Sequence, residues 1–258
     1  MVPLFLISKL QIMNSHNVYK KLLRVYGPQG WWPLLQRSSL PGYDQEGYHP
    51  GIYKNDLQPH EQFEIITGAI LTQNTSWTNV RSSMGALLEV CRKKGQILSP
   101  EFFLAMDHSE LAAIIRSSGY FNQKAKKLKA VSSFYLDNRG DLTIPSRKDL
   151  LSIWGIGPET ADSILLYAYH RPVCVVDAYS VRIFRRLESR GLTSGRQPAA
   201  PKEWTYDRLQ QKFHSELPPE HRVYNEFHAL LVEHGKHYCT SKKQKCNICP
   251  LQFDSGVD

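Results

Sequence analysis

The sequence predicts an all-α protein. Most segments carry apolar residues three or four positions apart, the period of a helix with one buried face, and the alternating pattern of a strand is scarce. Serine and proline stand at several positions where such helices would begin. The chain has 258 residues, enough for one large domain or two small ones.

Helices are predicted along most of the chain. The clearest follows Pro59 and runs through residues 62–71, with Phe63, Ile66 and Ile70 on one face. Further helices are expected near residues 17–26, 77–93, 109–117, 123–137, 147–153, 158–169, 179–189, 203–215 and 222–235. Segments 38–59 and 191–202 contain several glycines or prolines and are expected to be loops.

Composition argues against a membrane protein and a disordered chain. No apolar run approaches the ~18 residues that would cross a bilayer, and aromatic residues are spread along the sequence. The net charge is +8, a moderate basic excess. Residues 1–7 lack the charged start and cleavage site of a signal peptide, so we expect a cytoplasmic protein. Because the helical pattern begins only near residue 17 and a second methionine stands at 13, one hypothesis is that residues 1–12 are an over-extension; the sequence leaves open whether Met1 or Met13 is the true start.

The most informative stretch is a predicted pair of helices joined by a glycine turn. Ser146, with an aspartate three residues later, resembles a capping box, and Pro158 suits the first position of the second helix. The turn between them is Gly155, Ile156 and Gly157. Glycines at both ends of a tight turn permit positive φ and let a DNA phosphate approach the backbone N–H groups. A plain pair of helices with a glycine turn is the alternative.

Downstream of this pair, an apolar run ends in Asp177, and a basic amphipathic helix follows. With the glycine turn, this pattern resembles the endonuclease III family of helix–hairpin–helix DNA glycosylases, whose signature is Leu-Pro-Gly-Val-Gly, a helix, and then Val-Asp. The resemblance covers residues 17–249. Trp-Trp-Pro at 31–33, Leu-Thr-Gln-Asn-Thr at 71–75 and Gly-Tyr-Phe-Asn-Gln-Lys-Ala-Lys at 119–126 resemble the branch that removes 3-methyladenine.

The resemblance implies a two-domain helix–hairpin–helix DNA glycosylase fold with the active site in a cleft between the domains. We expect residues 56–171 to form a helical barrel that ends in the hairpin. Residues 17–55 and 172–258 are expected to form the second domain, and residues 1–16 an N-terminal extension. The implied partner is double-stranded DNA containing a damaged base, and we expect a monomer that binds no membrane.

In the family the catalytic aspartate falls on Asp177, where a carboxylate stabilises the positive charge that develops on the sugar as the base leaves. Asp177 could instead only cap the helix from Ala178, and both roles can hold together. Family members that also cut the backbone carry a lysine two residues after the second hairpin glycine, whereas this chain has Glu159 there. A carboxylate cannot form an imine, so we expect a monofunctional glycosylase.

The resemblance also points to residues that would hold the flipped base. Trp31, Trp32 and Trp77 are candidates because aromatic faces stack on a base and attract a cationic one. Gln73 matches the glutamine that fills the space vacated by that base, and Lys236 falls where the family has a basic residue near the active site. Ordinary core packing for the tryptophans, and solvated polar roles for Gln73 and Lys236, are the alternatives.

Three of the five cysteines share one short segment, Cys239, Cys246 and Cys249. Their spacing matches three of the four ligands of the family's [4Fe–4S] motif, and the fourth position is Ser255. A zinc site completed by His234 or His237, or no metal at all, are the alternatives. Cys91 and Cys174 stand alone in apolar surroundings and are expected to be small core residues.

Direct DNA contacts are expected from two places, the hairpin and the cysteine loop. The residues are Gly155, Ile156, Gly157 and Thr160 in the hairpin, and Lys242, Lys243 and Lys245 in the loop. Two further basic groups could extend this surface as a stripe along the DNA, Lys124, Lys126, Lys127 and Lys129 on one segment and Arg182, Arg185 and Arg186 on another.

The sequence therefore predicts a DNA glycosylase that removes an alkylated base of the 3-methyladenine type. A glycosylase for oxidised pyrimidines or mismatched adenine would keep Asp177 but need other pocket residues. A non-catalytic DNA-binding protein would keep the hairpin and not need Asp177.

Overall fold

The computed structural model describes residues 14–53, 56–138, 144–189 and 204–251, and in these ranges the protein is built from helices. They are α1 Ser15–Tyr26, α2 Pro59–Leu71, α3 Trp77–Lys94, α4 Pro100–Ala105, α5 His108–Ile114, α6 Phe121–Asp137, α7 Arg147–Ser152, α8 Pro158–Ser163, α9 Ala178–Ser189, α10 Tyr206–Glu216 and α11 His221–His237. A π-helical segment, Ile164–Ala168, continues α8. The all-α prediction is confirmed.

The chain divides into two compact units. One consists of Met1–Gln29 and Cys174–Asp258, and the other is Gly30–Val173. The predicted extension 1–12 and loop 191–202 lie outside the described residues, as does Ser255. None of the described helices is long and apolar enough to span a membrane.

The unit Gly30–Val173 is organised around α2, which packs against α3, α6 and the π-helical segment. Phe63, Ile66 and Ile70 are buried as predicted, but so are Ile65 and Leu71 on other faces. A helix that is buried on every side belongs inside a core. Accordingly, α2 is the central helix of this unit.

The segment before α2 also belongs to this unit, whereas the sequence analysis grouped residues 17–55 with the C-terminal domain. Two carboxylates of α2 explain the difference. Glu64 accepts hydrogen bonds from the Leu35 backbone N–H at 2.6 Å and from Gln36 Nε2 at 2.9 Å, and burial raises the pKa of Glu64 to about 7. Glu61 accepts from Arg37 Nη2 at 2.7 Å.

One helix was not predicted, α4. Ser99 caps it by accepting a hydrogen bond from the Phe102 N–H at 3.3 Å, and Pro100 occupies its first turn. Phe102 and Phe103 are both buried. Six residues are too few to display a helical period in the sequence, so only the tertiary burial of the two phenylalanines reveals this helix.

The other unit is organised around α11, which packs against α1 and α9. Its core is aromatic, with ring centroids 4.9 Å apart for the pairs Phe184–Phe213 and Phe213–Phe227. Where α11 passes Tyr179, it carries Gly235, and a Cβ there would lie 2.2 Å from the Tyr179 ring. This glycine permits α11 to lie directly against the first turn of α9.

The two isolated cysteines are buried, as expected of small core residues. Cys91 lies on α3 and Cys174 lies just before α9. Burial raises the pKa of the Cys91 thiol to about 11, so it stays protonated and unreactive at neutral pH.

Candidate active site

The hairpin joins α7 and α8. The predicted capping box is present, because Ser146 N–H donates to Asp149 Oδ2 at 2.9 Å and Asp149 N–H donates to Ser146 Oγ at 3.2 Å. Gly155 has φ +83°, and a Cβ there would lie 2.7 Å from Cγ and Cε of Lys127. This position therefore requires glycine for two independent reasons.

The second hairpin glycine differs from the first. Gly157 has φ −97° and ψ 178°, so the expectation of positive φ at both glycines is wrong here. A Cβ at Gly157 would meet nothing within 4 Å. Gly155 and Gly157 are exposed while Ile156 is buried, so the backbone of the turn, and not the Ile156 side chain, is what faces outward.

Gln73, in the turn after α2, is hydrogen-bonded to the hairpin. Its Nε2 donates to Thr160 Oγ1 at 2.9 Å and to the Gly155 carbonyl at 3.3 Å, and its Oε1 accepts from Lys127 Nζ at 2.5 Å. Thr160 is buried, and this structure uses its hydroxyl to hold Gln73. The structure therefore brings two separately predicted motifs, residues 71–75 and the hairpin, into direct contact.

The predicted basic stripe on α6 is wrong in part. Lys124 is only 1% exposed, and its ammonium donates to the carbonyls of Leu71 at 2.8 Å and Ser118 at 2.7 Å. Burial lowers the pKa of Lys124 to about 8. Lys129 donates to the Met106 carbonyl. Lys126 is the exposed member, with Nζ 4.2 Å from the centre of the Trp154 ring.

The three predicted tryptophans form one aromatic cluster. The Trp32 ring centroid lies 6.0 Å from that of Trp31 and 5.4 Å from that of Trp77, in edge-to-face arrangements. Tyr167 joins them at 5.1 Å from Trp32 and 6.2 Å from Trp31. Trp32 and Tyr167 are buried while Trp31 and Trp77 are partly exposed, so Trp31 and Trp77 are the rings with surface left for another aromatic group.

Tyr167 was not singled out in the sequence. It lies in the π-helical segment, and short π-helical segments often occur at functional sites. Five buried residues are too few to show a period that differs from that of an ordinary apolar helix, so the sequence contained no signal for this ring.

Asp177 is buried at the first turn of α9. Its Oδ1 accepts from the Ser180 N–H and from Ser180 Oγ, both at 2.7 Å, which is the capping arrangement expected of an aspartate before a helix. Its Oδ2 lies 3.7 Å from His228 Nε2 on α11. Burial acts to raise the pKa of Asp177, but the His228 imidazole and the Ser180 donors outweigh it, so the pKa lies below its ordinary value.

Ser180 and His228 are therefore residues that sequence reasoning missed. Ser180 follows Asp177 by three positions, a spacing that capping chemistry recognises. His228 gave no signal, because it lies on a different helix and reaches Asp177 only through the packing of α9 against α11.

The basic residues of this unit that were predicted to contact DNA or substrate fall into two groups. Arg185, Lys236, Lys242, Lys243 and Lys245 are exposed. Arg182 and Arg186 instead hold the cysteine loop, with Arg182 Nε donating to the Cys239 carbonyl at 2.7 Å and Arg186 Nη1 donating to the Thr240 carbonyl at 2.9 Å.

The described part of the cysteine loop does not fit a metal cluster. Arg186 Nη1 lies 3.1 Å from Cys239 Sγ, Gln244 Oε1 lies 3.4 Å from Cys246 Sγ, and His234 Nε2 lies 3.4 Å from Cys249 Sγ. Each thiol thus has a different side chain as its neighbour. Among the described residues, no three His, Cys, Asp or Glu side chains are grouped to hold a metal ion.

Comparison with known proteins identifies the family and the fold. The family profile described as HhH-GPD superfamily base excision DNA repair protein matches residues 67–199. A protein of Methanocaldococcus jannaschii named as a DNA repair glycosylase is 37% identical over 246 residues, covering 92% of this chain and 93% of that one. Endonuclease III of Rickettsia prowazekii is 28% identical over 202 residues, covering 78% and 83%.

Solved structures agree on the fold. The 3-methyladenine DNA glycosylase of H. pylori, bound to 1,N6-ethenoadenine, matches with a TM-score of 0.63 at 26% identity, covering 87% of this chain and 98% of that one. A trapped covalent intermediate of endonuclease III with DNA matches with a TM-score of 0.68 at 17% identity, covering 93% and 94%. The chain belongs to the HhH-GPD superfamily of base excision DNA repair proteins. It is a DNA glycosylase.

Proposed function

We propose that this glycosylase hydrolyses the bond between an alkylated base and its sugar in duplex DNA, and that it leaves the DNA backbone uncut. The observation that carries the proposal is the buried, ionised Asp177, which Ser180 and His228 hold in place. A carboxylate kept charged inside a protein is suited to a reaction that develops positive charge beside it.

The breaking of the glycosidic bond places positive charge on the sugar. At about 4 Å and an effective dielectric constant near 20, opposite unit charges attract by about 4 kcal/mol. That energy corresponds to roughly a thousandfold in rate. The bonding electrons leave with the base, and a base that is already cationic departs neutral without a proton donor. Asp177 is then able to accept a proton from the water that attacks the sugar.

The absence of strand cleavage is proposed from Glu159. Glu159 is exposed in the first turn of α8, where a negative charge is favoured by the helix dipole. A carboxylate cannot attack the sugar to form an imine, whereas a lysine amine can. The expected product is therefore a free base and an intact abasic site.

The choice of an alkylated base is proposed from the aromatic cluster. The partly exposed rings of Trp31 and Trp77 would pack against the flipped base, supported by the buried Trp32 that contacts both, and their faces attract a cationic methylated purine by about 0.5–2 kcal/mol. The 26% identical H. pylori glycosylase bound to an ethenoadenine supports this choice. We also propose that Lys236, an exposed lysine in the last turn of α11, contacts the substrate.

DNA binding is proposed for the exposed turn and the cysteine loop. The backbone of Gly155, Ile156 and Gly157 would meet a phosphate, which positions the protein without reading sequence. Thr160 contributes by holding Gln73, the residue assigned to the space that the flipped base vacates. Lys242, Lys243 and Lys245 would contact further phosphates.

The iron–sulfur prediction is kept apart from this reaction, because the described thiols do not form a ligand set. Iron and zinc analysis of protein purified without oxygen, together with its visible absorption spectrum, tests it. About four irons per chain would support a [4Fe–4S] cluster, and absence of both metals would refute the cluster and the zinc alternative.

The proposed function is tested by the release of free bases from methylated duplex DNA, with strand breaks counted before and after alkali. We expect methylated purines to be released, and breaks to appear only after alkali. A covalent adduct trapped by borohydride would refute the claim that the backbone is left uncut. Binding without release would refute the alkylated substrate, and duplexes with oxidised pyrimidines or mismatched adenine would then be compared.

A further inference from the structure

Gln73 is bonded at both ends of its carboxamide. Lys127 holds the oxygen, while the nitrogen donates to Thr160 and to the Gly155 carbonyl. A carboxamide held in this way cannot enter a duplex until these bonds break. Something in the DNA must therefore compete with them.

Lys127 is placed where a DNA phosphate could provide that competition. Its aliphatic stem lies against Gly155, as the 2.7 Å separation between a Cβ at Gly155 and the Lys127 side chain indicates. Its ammonium lies at the Gln73 oxygen, beside the turn whose exposed backbone is proposed to meet a phosphate.

We propose that Lys127 couples phosphate binding at the hairpin to the release of Gln73. In the free protein the ammonium holds the Gln73 oxygen. When a phosphate reaches the turn, the ammonium bonds to the phosphate, and the carboxamide keeps only its two bonds between neutral groups, to Thr160 and to the Gly155 carbonyl, which polar groups of the DNA can replace. The exchange is favourable because the phosphate carries a full negative charge, whereas the Gln73 oxygen is neutral, so the ammonium is attracted more strongly to the phosphate. Lys127 is thus a positioning residue, and this inference rests on the proposed function of the hairpin and Gln73.

The test follows the Gln73 side-chain amide by NMR in protein labelled with 15N at glutamine, with the signal assigned by its loss in Gln73→Ala. The DNA carries an abasic-site analogue that cannot be cleaved, so the measurement does not depend on base release. A set of duplexes, each with one phosphate replaced by a neutral methylphosphonate, identifies the phosphate at the turn. Lys127→Met keeps the stem against Gly155, and Lys93→Met, at an exposed lysine of α3, is the matched control.

We expect the wild-type Gln73 amide signal to shift when the native duplex binds. With one of the methylphosphonate duplexes, the one that lacks the charged phosphate at the turn, we expect the protein to bind but the signal to stay where it is in the free protein. In Lys127→Met the signal moves already in the free protein, and the two duplexes become equivalent. Lys93→Met behaves as the wild type in both respects. Lys127→Arg, which keeps the charge, retains the difference between duplexes and controls for misfolding. Lys127→Met also lowers the slope of log affinity against log salt by about one unit, whereas Gln73→Ala leaves it unchanged.

A wild-type signal that stays in place on the native duplex would overturn the proposal, and so would a Lys127→Met protein that still distinguishes the two duplexes. Both outcomes are separate from the proposed function. A protein that shows the exchange but releases no methylated base would refute the substrate and leave the coupling intact. A protein that releases the methylated base without the exchange would support the substrate and refute the coupling.

Discussion

Asp177 and the hairpin turn differ in how much of their surroundings the protein fixes before DNA arrives. Asp177 is buried, and Ser180 and His228 occupy its two oxygens. The turn instead presents the exposed backbone of Gly155 and Gly157. The difference follows from their proposed roles, since a charge that stabilises a transition state must be oriented in advance, whereas a phosphate contact needs only an accessible donor.

The largest effect is expected from Asp177→Asn. The amide keeps an oxygen for the Ser180 donors but loses the negative charge, so we expect base release to fall roughly a thousandfold. Single-turnover release at saturating enzyme measures the loss. Affinity for a duplex with an abasic-site analogue should stay near the wild-type value. Equal losses of affinity and of rate would mean that Asp177 supports folding or binding and not the chemistry.

At the hairpin, Gly155→Ala should weaken DNA binding about tenfold, which corresponds to about 1.4 kcal/mol. The added Cβ meets Lys127 at 2.7 Å in a backbone conformation with φ +83°, so the turn must shift. Gly157→Ala is the matched control, because its Cβ meets nothing within 4 Å. Fluorescence anisotropy on damaged and undamaged duplexes compares them. Equal affinities for the two variants would show that the shape of the turn is not what binds DNA.

Removal of His228 should raise the pKa of Asp177, because the His228 imidazole is one of the groups that hold this pKa below its ordinary value against the effect of burial. The folded-state pKa of Asp177 is depressed, so the carboxylate stabilises the fold above its ordinary pKa, and this is lost as pH falls through the folded-state pKa. In His228→Leu the acid limb of the rate profile should therefore move to higher pH. His228→Gln, which keeps an N–H, should move it less.

The exposed His108 serves as the matched control for His228, and His108→Gln should leave the pH profile unchanged. If His228→Leu reduces activity by the same factor at every pH, then His228 supports only the packing of α11 against α9.

The smallest effect is expected from single lysines of the cysteine loop. Lys243→Gln should weaken binding to every duplex equally and reduce the salt slope by about one unit, because each phosphate contact releases about one counterion. Lys20, an exposed lysine of α1, provides the comparison. An unchanged slope for Lys243→Gln would remove this side chain from the DNA-binding surface.

The same contrast applies to what the residues revealed in advance. Helix caps and helix starts could be predicted from the sequence, because these motifs bind backbone groups of their own neighbours in the chain. The capping box at Ser146, Pro158 in the first turn of α8 and the helix that begins after Asp177 all appear as predicted. Each depends on side chains within a few residues of the backbone groups that they bind.

The burial of individual side chains was harder to predict, because the sequence alone does not determine which helices pack against a given face. Lys124 belongs to a run of lysines that suggested a DNA-facing stripe, yet it is buried and donates to two carbonyls. Likewise, the sequence analysis grouped residues 30–53 with the C-terminal segment, because Glu61 and Glu64 show no sign in the sequence that they bind residues 35–37.

The sequence by itself determined the helical class, the hairpin, the position of Asp177 and the replacement of a lysine by Glu159, because these depend on residue type at short spacing. Only the tertiary structure decided that His228 reaches Asp177, that Tyr167 joins the tryptophans, and that Lys127 and Thr160 hold Gln73. These contacts join residues from different helices, and the packing of those helices is set by the summed burial of many side chains, which no single motif records.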